Sequence, residues 1–186
     1  MTVALDISAS GRFGGYASVF GRLDQSGDIV MPGAFGQSLR RKGHVGIRML
    51  FQHDPKEPVG VWDRIAEDGH GLWAEGHLTG GVARADGLRR LVADGALDGL
   101  SIGFRTVRAA RDRQAGARRL WQVDLWEISI VAFPMLDGAR IRGGPGPAGP
   151  CRISRKSPVK EIGHRRPSRE ALAAAISILT DRQDQR

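Results

Sequence analysis

The chain has 186 residues, 41% of them hydrophobic, 26% charged and 6% aromatic, with 26 glycines, nine prolines and one cysteine. That is enough apolar material for one domain plus an extension, and it excludes a wholly disordered chain. A single cysteine excludes an intrachain disulfide framework and a cysteine-based zinc cluster, while a formal charge of +8, carried mostly by Arg, permits nucleic acid or acidic protein partners and specifies neither.

The longest nearly continuous apolar run, residues 171–179, is too short to span a bilayer, and the N-terminal MTVALDISAS lacks a basic segment followed by an apolar one. The expectation is a soluble, intracellular protein with no membrane partner.

The charge is unevenly placed. Residues 1–142 hold 19 basic and 16 acidic residues, whereas residues 143–186 hold 9 and 4. Between these parts lies Gly143-Gly-Pro-Gly-Pro-Ala-Gly-Pro150, which suits neither a helix nor a central strand. The division predicted is a folded domain over 1–142, a linker over 143–150 and a basic tail over 151–186. In the tail Ser168 is placed to cap a short helix through Thr180, with Leu172, Ile176 and Leu179 on one face.

Within the body, residues 14–20 and 45–53 favour strands, with turn chemistry at Asp24-Gln-Ser-Gly-Asp28. In the second strand Val45, Ile47, Met49, Phe51 and His53 share a face by period-two alternation. Pro32-Gly-Ala-Phe35 can open a short helix with Phe35 and Leu39 one turn apart. Strands are expected at 59–65 and 72–78, separated by the turn Glu67-Asp-Gly-His-Gly71. A helix fits 83–94, with Leu88, Leu91 and Val92 as its stripe and Gly95 as its stop. Two further strands, 100–109 and 120–133, flank an Arg-rich loop over 110–119. The second reads as buried on both sides, with Leu125 and Val131 on one face and Trp126, Ile128 and Ile130 on the other. Many short strands with two or three short helices predict a mainly β fold: an antiparallel sheet or small barrel with peripheral helices.

Three polar residues stand where a bland core would not put them. His53 ends its strand's apolar stripe in Leu50-Phe-Gln-His53; the competing reading is a structural histidine bonded to a loop carbonyl. Ser101 lies in Asp98-Gly-Leu-Ser-Ile-Gly-Phe104, where the glycines leave room for another backbone, such as an extended substrate; a locally bonded strand-entry serine fits equally. The Gly-x-Ser-x-Gly pattern is not a nucleophile elbow, because a helix precedes it and a strand follows. Glu127, in Leu125-Trp-Glu-Ile-Ser-Ile-Val131, must be paired or protonated, and Arg105 is a candidate structural partner. Asp124 competes with it as the acid. The three residue types supply a nucleophile, a base and an acid that orients the base. His44, His53, His70 and His77 lack metal-site spacing and have no cysteine pairs beside them, so no metal is expected.

Five blocks carry a family resemblance: Gly15-Tyr-Ala-Ser-Val-Phe20, Asp28-Ile-Val-Met-Pro-Gly-Ala-Phe35, Leu50-Phe-Gln-His53, Gly99-Leu-Ser-Ile-Gly-Phe104 and Leu125-Trp-Glu-Ile-Ser-Ile-Val-Ala-Phe-Pro134. In order and spacing they resemble the prohead proteases of tailed bacteriophages, capsid-maturation serine proteases distantly related to herpesvirus assemblin. The resemblance covers residues 12–142. It implies a small antiparallel β-barrel flanked by short helices, with Ser101, His53 and Glu127 at the catalytic positions and Asp124 as alternative acid. It implies a serine endopeptidase that needs no cofactor or metal and cleaves the scaffolding region from the major capsid precursor. Self-cleavage is common in the family. The implied location is the assembling prohead in the bacterial host cytoplasm, with a homo-oligomer left open. The sequence continues from the last block as Pro134-Met-Leu-Asp-Gly138, a departure from the family's usual Asn-containing turn. Two other readings stay open: a catalytically silent assembly subunit, and a basic nucleic-acid-binding barrel, which the near-neutral body disfavours. For the tail, the expectations are recruitment into the shell, removal by self-cleavage, or a solvated extension.

Overall fold

The computed structural model describes residue 7 and residues 11–143. The predicted linker beyond Gly143, the basic tail and its helix lie outside the described residues.

The chain runs β1 (Arg12–Val19), β2 (Asp28–Val30), α1 (Gly36–Lys42), β3 (Arg48–Phe51), β4 (Asp54–Glu67), β5 (Gly71–Leu78), α2 (Ala83–Ala93), β6 (Gly99–Asp112), β7 (Ala117–Val131) and β8 (Ile141–Arg142). One sheet contains all eight strands in the order β2-β7-β3-β4-β5-β1-β8, with β6 added on β7. The long β6/β7 hairpin forms its spine. One edge of β7 pairs with β6 throughout, while the other takes β2 near its start and β3 near its end. Both of these short pairings are parallel, an addition to the antiparallel sheet expected. Irregular registers at Tyr16/Ser18, Trp62/Arg64 and Gly103/Phe104 bend the strands. The sheet curls until the Leu100 N–H donates to Ala139 O and the Ile141 N–H to Asp98 O, which ties the last strand to the start of β6.

Inside the curl lies a core that includes Phe13, Phe35, Met49, Val59, Leu72, Leu100, Leu120, Leu125, Ile128 and Ile130. Each large apolar side chain so buried contributes roughly 1.5–3 kcal/mol. Helix α2 seals one side with Ala85, Leu88 and Val92, at three- and four-residue spacing. Leu91, expected in that stripe, is instead 45% exposed, because it lies about a quarter of a turn from the centre of the face formed by Ala85, Leu88 and Val92. Gly95 stops the helix with φ +70°, a left-handed conformation that glycine adopts without strain.

Four other expectations change. The strand expected over 45–53 is only Arg48–Phe51, and Val45 is 73% exposed. Gln52 and His53 form a two-residue hairpin loop between Phe51 and Asp54, which pair across it. Their φ values are +53° and +60°, so His53 does not continue the strand's alternation. The Arg-rich loop shrinks to residues 113–116 because β6 and β7 both extend into it. In β7, Trp126 has no cross-strand partner: Gly103 pairs with Glu127 and Phe104 with Leu125. That extra residue reverses the alternation. Leu125 therefore joins Ile128 and Ile130 in the core while Trp126 is 52% exposed; residues 127–131 are all buried, as expected of a strand covered on both sides, but the second face carries Glu127 and Ser129 beside Val131. Strands β2 and β8 are too short to leave a periodic signal.

Candidate active site

Ser101 sits near the start of β6, directly opposite Ser129 of β7, and two residues along Gly103 faces Glu127. Residues opposite each other across an antiparallel pair project from the same face, so Ser101, Ser129 and Glu127 share one side of the hairpin. Ser101 is 5% exposed, Glu127 9% and Ser129 fully buried.

On the far edge of β7, strand β3 runs parallel and ends in the Gln52-His53 loop. The Gln52 N–H donates to Ile130 O and the His53 N–H to Ser129 Oγ, at 3.0 and 3.1 Å, which pins the loop onto β7. So held, the His53 ring lies with Nδ1 2.7 Å from Glu127 Oε1. The other carboxylate oxygen, Oε2, accepts from the Ser129 hydroxyl at 2.6 Å. Ser129 thus touches both partners of the pair. In the sequence its one signal is its place two residues beyond Glu127, on the same face of a strand.

Electrostatics follow from this arrangement. The bond to Glu127 raises the His53 pKa above its ordinary 6.5, partial burial opposes the rise, and the carboxylate's charge adds to it. When Nδ1 carries the proton toward Glu127, Nε2 presents a lone pair and can act as a base.

Gly103 makes the carboxylate's position available. A Cβ there would lie 1.9 Å from Glu127 Oε1 and 2.7 Å from Cδ. The space this glycine clears is filled by the Glu127 side chain rather than by a substrate backbone.

Asp124 is placed elsewhere. It binds Arg41 and Lys42 of α1 at 2.5 and 2.6 Å, lies 3.7 Å from Arg105, and accepts from Trp126 Nε1 at 3.1 Å. The Lys42 bond, against the effect of desolvation, and further bonds from Trp126 and Arg41 hold its pKa far below the ordinary carboxylate range. Arg105, considered above as a structural partner of Glu127, lies beside Asp124 instead.

A cavity of about 140 Å³ opens beside Ser101, walled in part by Val19, Leu100, Ile102, Phe104 and Met135. Two other histidines are engaged elsewhere: His70 packs edge-on against Tyr16 and His77 Nδ1 lies 3.0 Å from Asp63. Among the described residues, no cluster of three or more His, Cys, Asp or Glu side chains could hold a metal ion. No helix among them is long and apolar enough to cross a membrane.

The family model described as caudovirus prohead serine protease matches residues 2–144. The prohead protease of Enterobacteria phage HK97 is 38% identical over 133 residues, which are 70% of this chain and 59% of that protein's length. This chain therefore spans less than two thirds of that relative. Among solved structures, the bacteriophage T4 capsid assembly protease superposes with a TM-score of 0.55 at 12% identity, over 66% of this chain and 82% of that one. The Kaposi's sarcoma herpesvirus protease gives 0.46 at 16% identity, over 70% and 63%. At 12% identity the likeness to the T4 protease speaks to the fold alone.

Proposed function

The chain belongs to the caudovirus prohead serine protease family, and from that premise we propose that it is a serine endopeptidase acting on a major capsid precursor inside an assembling phage shell. The observation that carries this reading is the His53–Glu127 contact at 2.7 Å, beside the buried serine of a neighbouring strand. A histidine whose Nδ1 is committed to a buried carboxylate has one tautomer, one orientation and a free Nε2 lone pair.

In the proposed reaction, Ser101 Oγ attacks the scissile carbonyl carbon and its proton passes to His53 Nε2. The tetrahedral intermediate collapses with transfer of that proton to the leaving amine, which gives an acyl-serine. Water then repeats the sequence: it loses a proton to His53, attacks the acyl carbon and releases Ser101. Glu127 keeps the imidazole oriented and stabilises its charged form while both intermediates exist.

The scaffolding region of the capsid precursor is the substrate segment this reading assigns, with self-cleavage as a second outlet for the same nucleophile. Capsid precursor co-expressed with wild type and with Ser101→Ala, followed by mass spectrometry of both proteins, tests the proposal. Cleavage is expected with wild type and none above background with the variant. Precursor processed equally by the two would overturn it.

A further inference from the structure

The distal half of the β6/β7 hairpin is unlike the rest of the body. From Arg105 to Ala110 every residue except Thr106 is exposed, as are Arg111 and residues 113–116. Strand β6 has a described strand partner on one side only: apart from the bridge between Gly99 and Arg140, its second edge is unpaired. Backbone donors and acceptors along such an edge are open to a further strand.

This edge is also basic. Residues 105–119 carry six arginines and one acid. Three arginines are committed: Arg118 binds Asp28 through two bonds, Arg119 binds Asp112, and Arg105 lies near Asp124. Arg108, Arg111 and Arg113 have no such partner among the described residues. Arg111 also borders a cleft of about 350 Å³ shared with Ser26, Gly27, Ala109 and Arg118. A carboxylate entering the cleft meets an arginine whose charge is not already balanced.

We propose that this arm is an exosite for an acidic, extended polypeptide segment, which adds as a strand along the free edge of β6 and pairs its carboxylates with Arg108, Arg111 and Arg113. Resting on the protease reading, the proposal adds a property of the substrate. Ser101 and Arg108 lie on the same strand seven residues apart, roughly 23 Å at the usual strand rise. A polypeptide lying along β6 at the arm is therefore in line with the nucleophile, and its acidic segment falls about seven to twelve residues from the bond cut. An unpaired strand edge favours a peptide over a nucleic acid, which would engage the charges and leave the backbone groups unmet. Basic residues on an edge also discourage aggregation, but that function needs no cleft and no alignment with Ser101.

The test uses the full chain. A fluorescent peptide of alternating Glu and Val is titrated by anisotropy into Ser101→Ala protein, which reads binding whether or not Ser101 is a nucleophile. Adding Arg108→Glu and Arg111→Glu is expected to weaken binding about tenfold or more. Adding Lys56→Glu and Arg90→Glu, the same change in charge elsewhere on the body, is expected to change it less than twofold. In a Ser101-active background the arm variant is expected to process capsid precursor with raised KM. Equal losses from the two charge reversals, or an oligothymidylate that binds the arm more tightly than the peptide, would overturn the exosite. Labelling of wild-type Ser101 by a fluorophosphonate checks the catalytic reading independently, so failure there and failure at the arm are told apart.

Discussion

Two carboxylates lie three residues apart on β7, both largely buried, and their surroundings are opposite. Asp124 faces α1 and is held by Arg41 and Lys42, with Arg105 and Trp126 close by. Glu127 faces the β3/β4 loop, where its bonds go to the His53 ring and the Ser129 hydroxyl. The bulge at Trp126 puts both acids on the same face of the hairpin, opposite Arg105 and Gly103, so what separates their environments is what packs beside each along β7: α1 next to Asp124 and the β3/β4 loop next to Glu127. A carboxylate among permanent cations has its charge balanced at any pH of interest, so it fastens a helix to a strand and can do little else. One whose main countercharge is an imidazole is balanced only when that ring is protonated, and so its energetics follow the proton.

Exchanging the two acids for their amides is expected to separate these roles with the largest effects. Glu127→Gln should lower kcat about a thousandfold with little change in Tm, since the amide still fills the space at Gly103 but no longer fixes the imidazole's tautomer or charge. Asp124→Asn should do the reverse: near-normal turnover, with a lower Tm as Arg41 and Lys42 lose their countercharge. Turnover on capsid precursor and thermal unfolding of the same preparations check both halves, and an inactive Asp124→Asn beside an active Glu127→Gln would reverse the assignment. The pH dependence has a definite sign. His53 is raised above 6.5 chiefly by its bond to Glu127, so the neutral base is available only above that raised value. Accordingly kcat/KM should climb as pH rises through it, and the limb should move down toward 6.5 in whatever activity Glu127→Gln retains. The pair's stabilisation of the fold runs the other way, full below about 6.5 and lost as pH rises through the raised value.

The contrast was only half legible in the sequence. Polar residues inside apolar runs drew attention to Ser101 and Glu127, and His53 stood at the end of an apolar stripe. What joins them was hidden. A period-two count carries no sign of the bulge at Trp126, so it put Leu125 and Ile128 on different faces when both are in the core. Nor could it show that Gln52 and His53 take positive φ, a conformation uncommon outside glycine. The short parallel pairing of β3 with β7 brings His53 to an acid 74 residues away, and contacts of that range leave no local pattern. Asp124's role in fastening α1 was equally hidden, because Arg41 and Lys42 are distant in sequence. The β strands longer than about eight residues, by contrast, and both helices could be placed from turn chemistry and apolar spacing.

A smaller effect is expected from the residue that links the two sides of the His53–Glu127 pair. Ser129→Ala removes the donor to Glu127 Oε2 and the acceptor for the His53 N–H together. Leaving a buried polar group unmet costs about 1–3 kcal/mol, and here the loss falls on the geometry of the pair. Turnover should drop roughly ten- to a hundredfold with KM nearly unchanged, and Ser129→Cys, which keeps a weaker donor and acceptor, should recover part of it. Loss of stability alone would lower the amount of folded enzyme without changing kcat per labelled Ser101.

The smallest effect concerns the loop that brings His53 to Glu127, for which the Asp124 side, built on a regular helix, has no counterpart. Gln52 and His53 occupy left-handed backbone at φ +53° and +60°, where a residue other than glycine or asparagine costs about 1–2 kcal/mol. The bonds from Gln52 N to Ile130 O and from His53 N to Ser129 Oγ hold them there. Gln52→Asn keeps the backbone donor and substitutes a residue that visits this region more readily. It should raise stability by about 0.5 kcal/mol and leave kcat within about twofold, read by denaturant unfolding beside turnover. A fall in stability would mean that the Gln52 side chain, rather than the backbone alone, holds the loop in place.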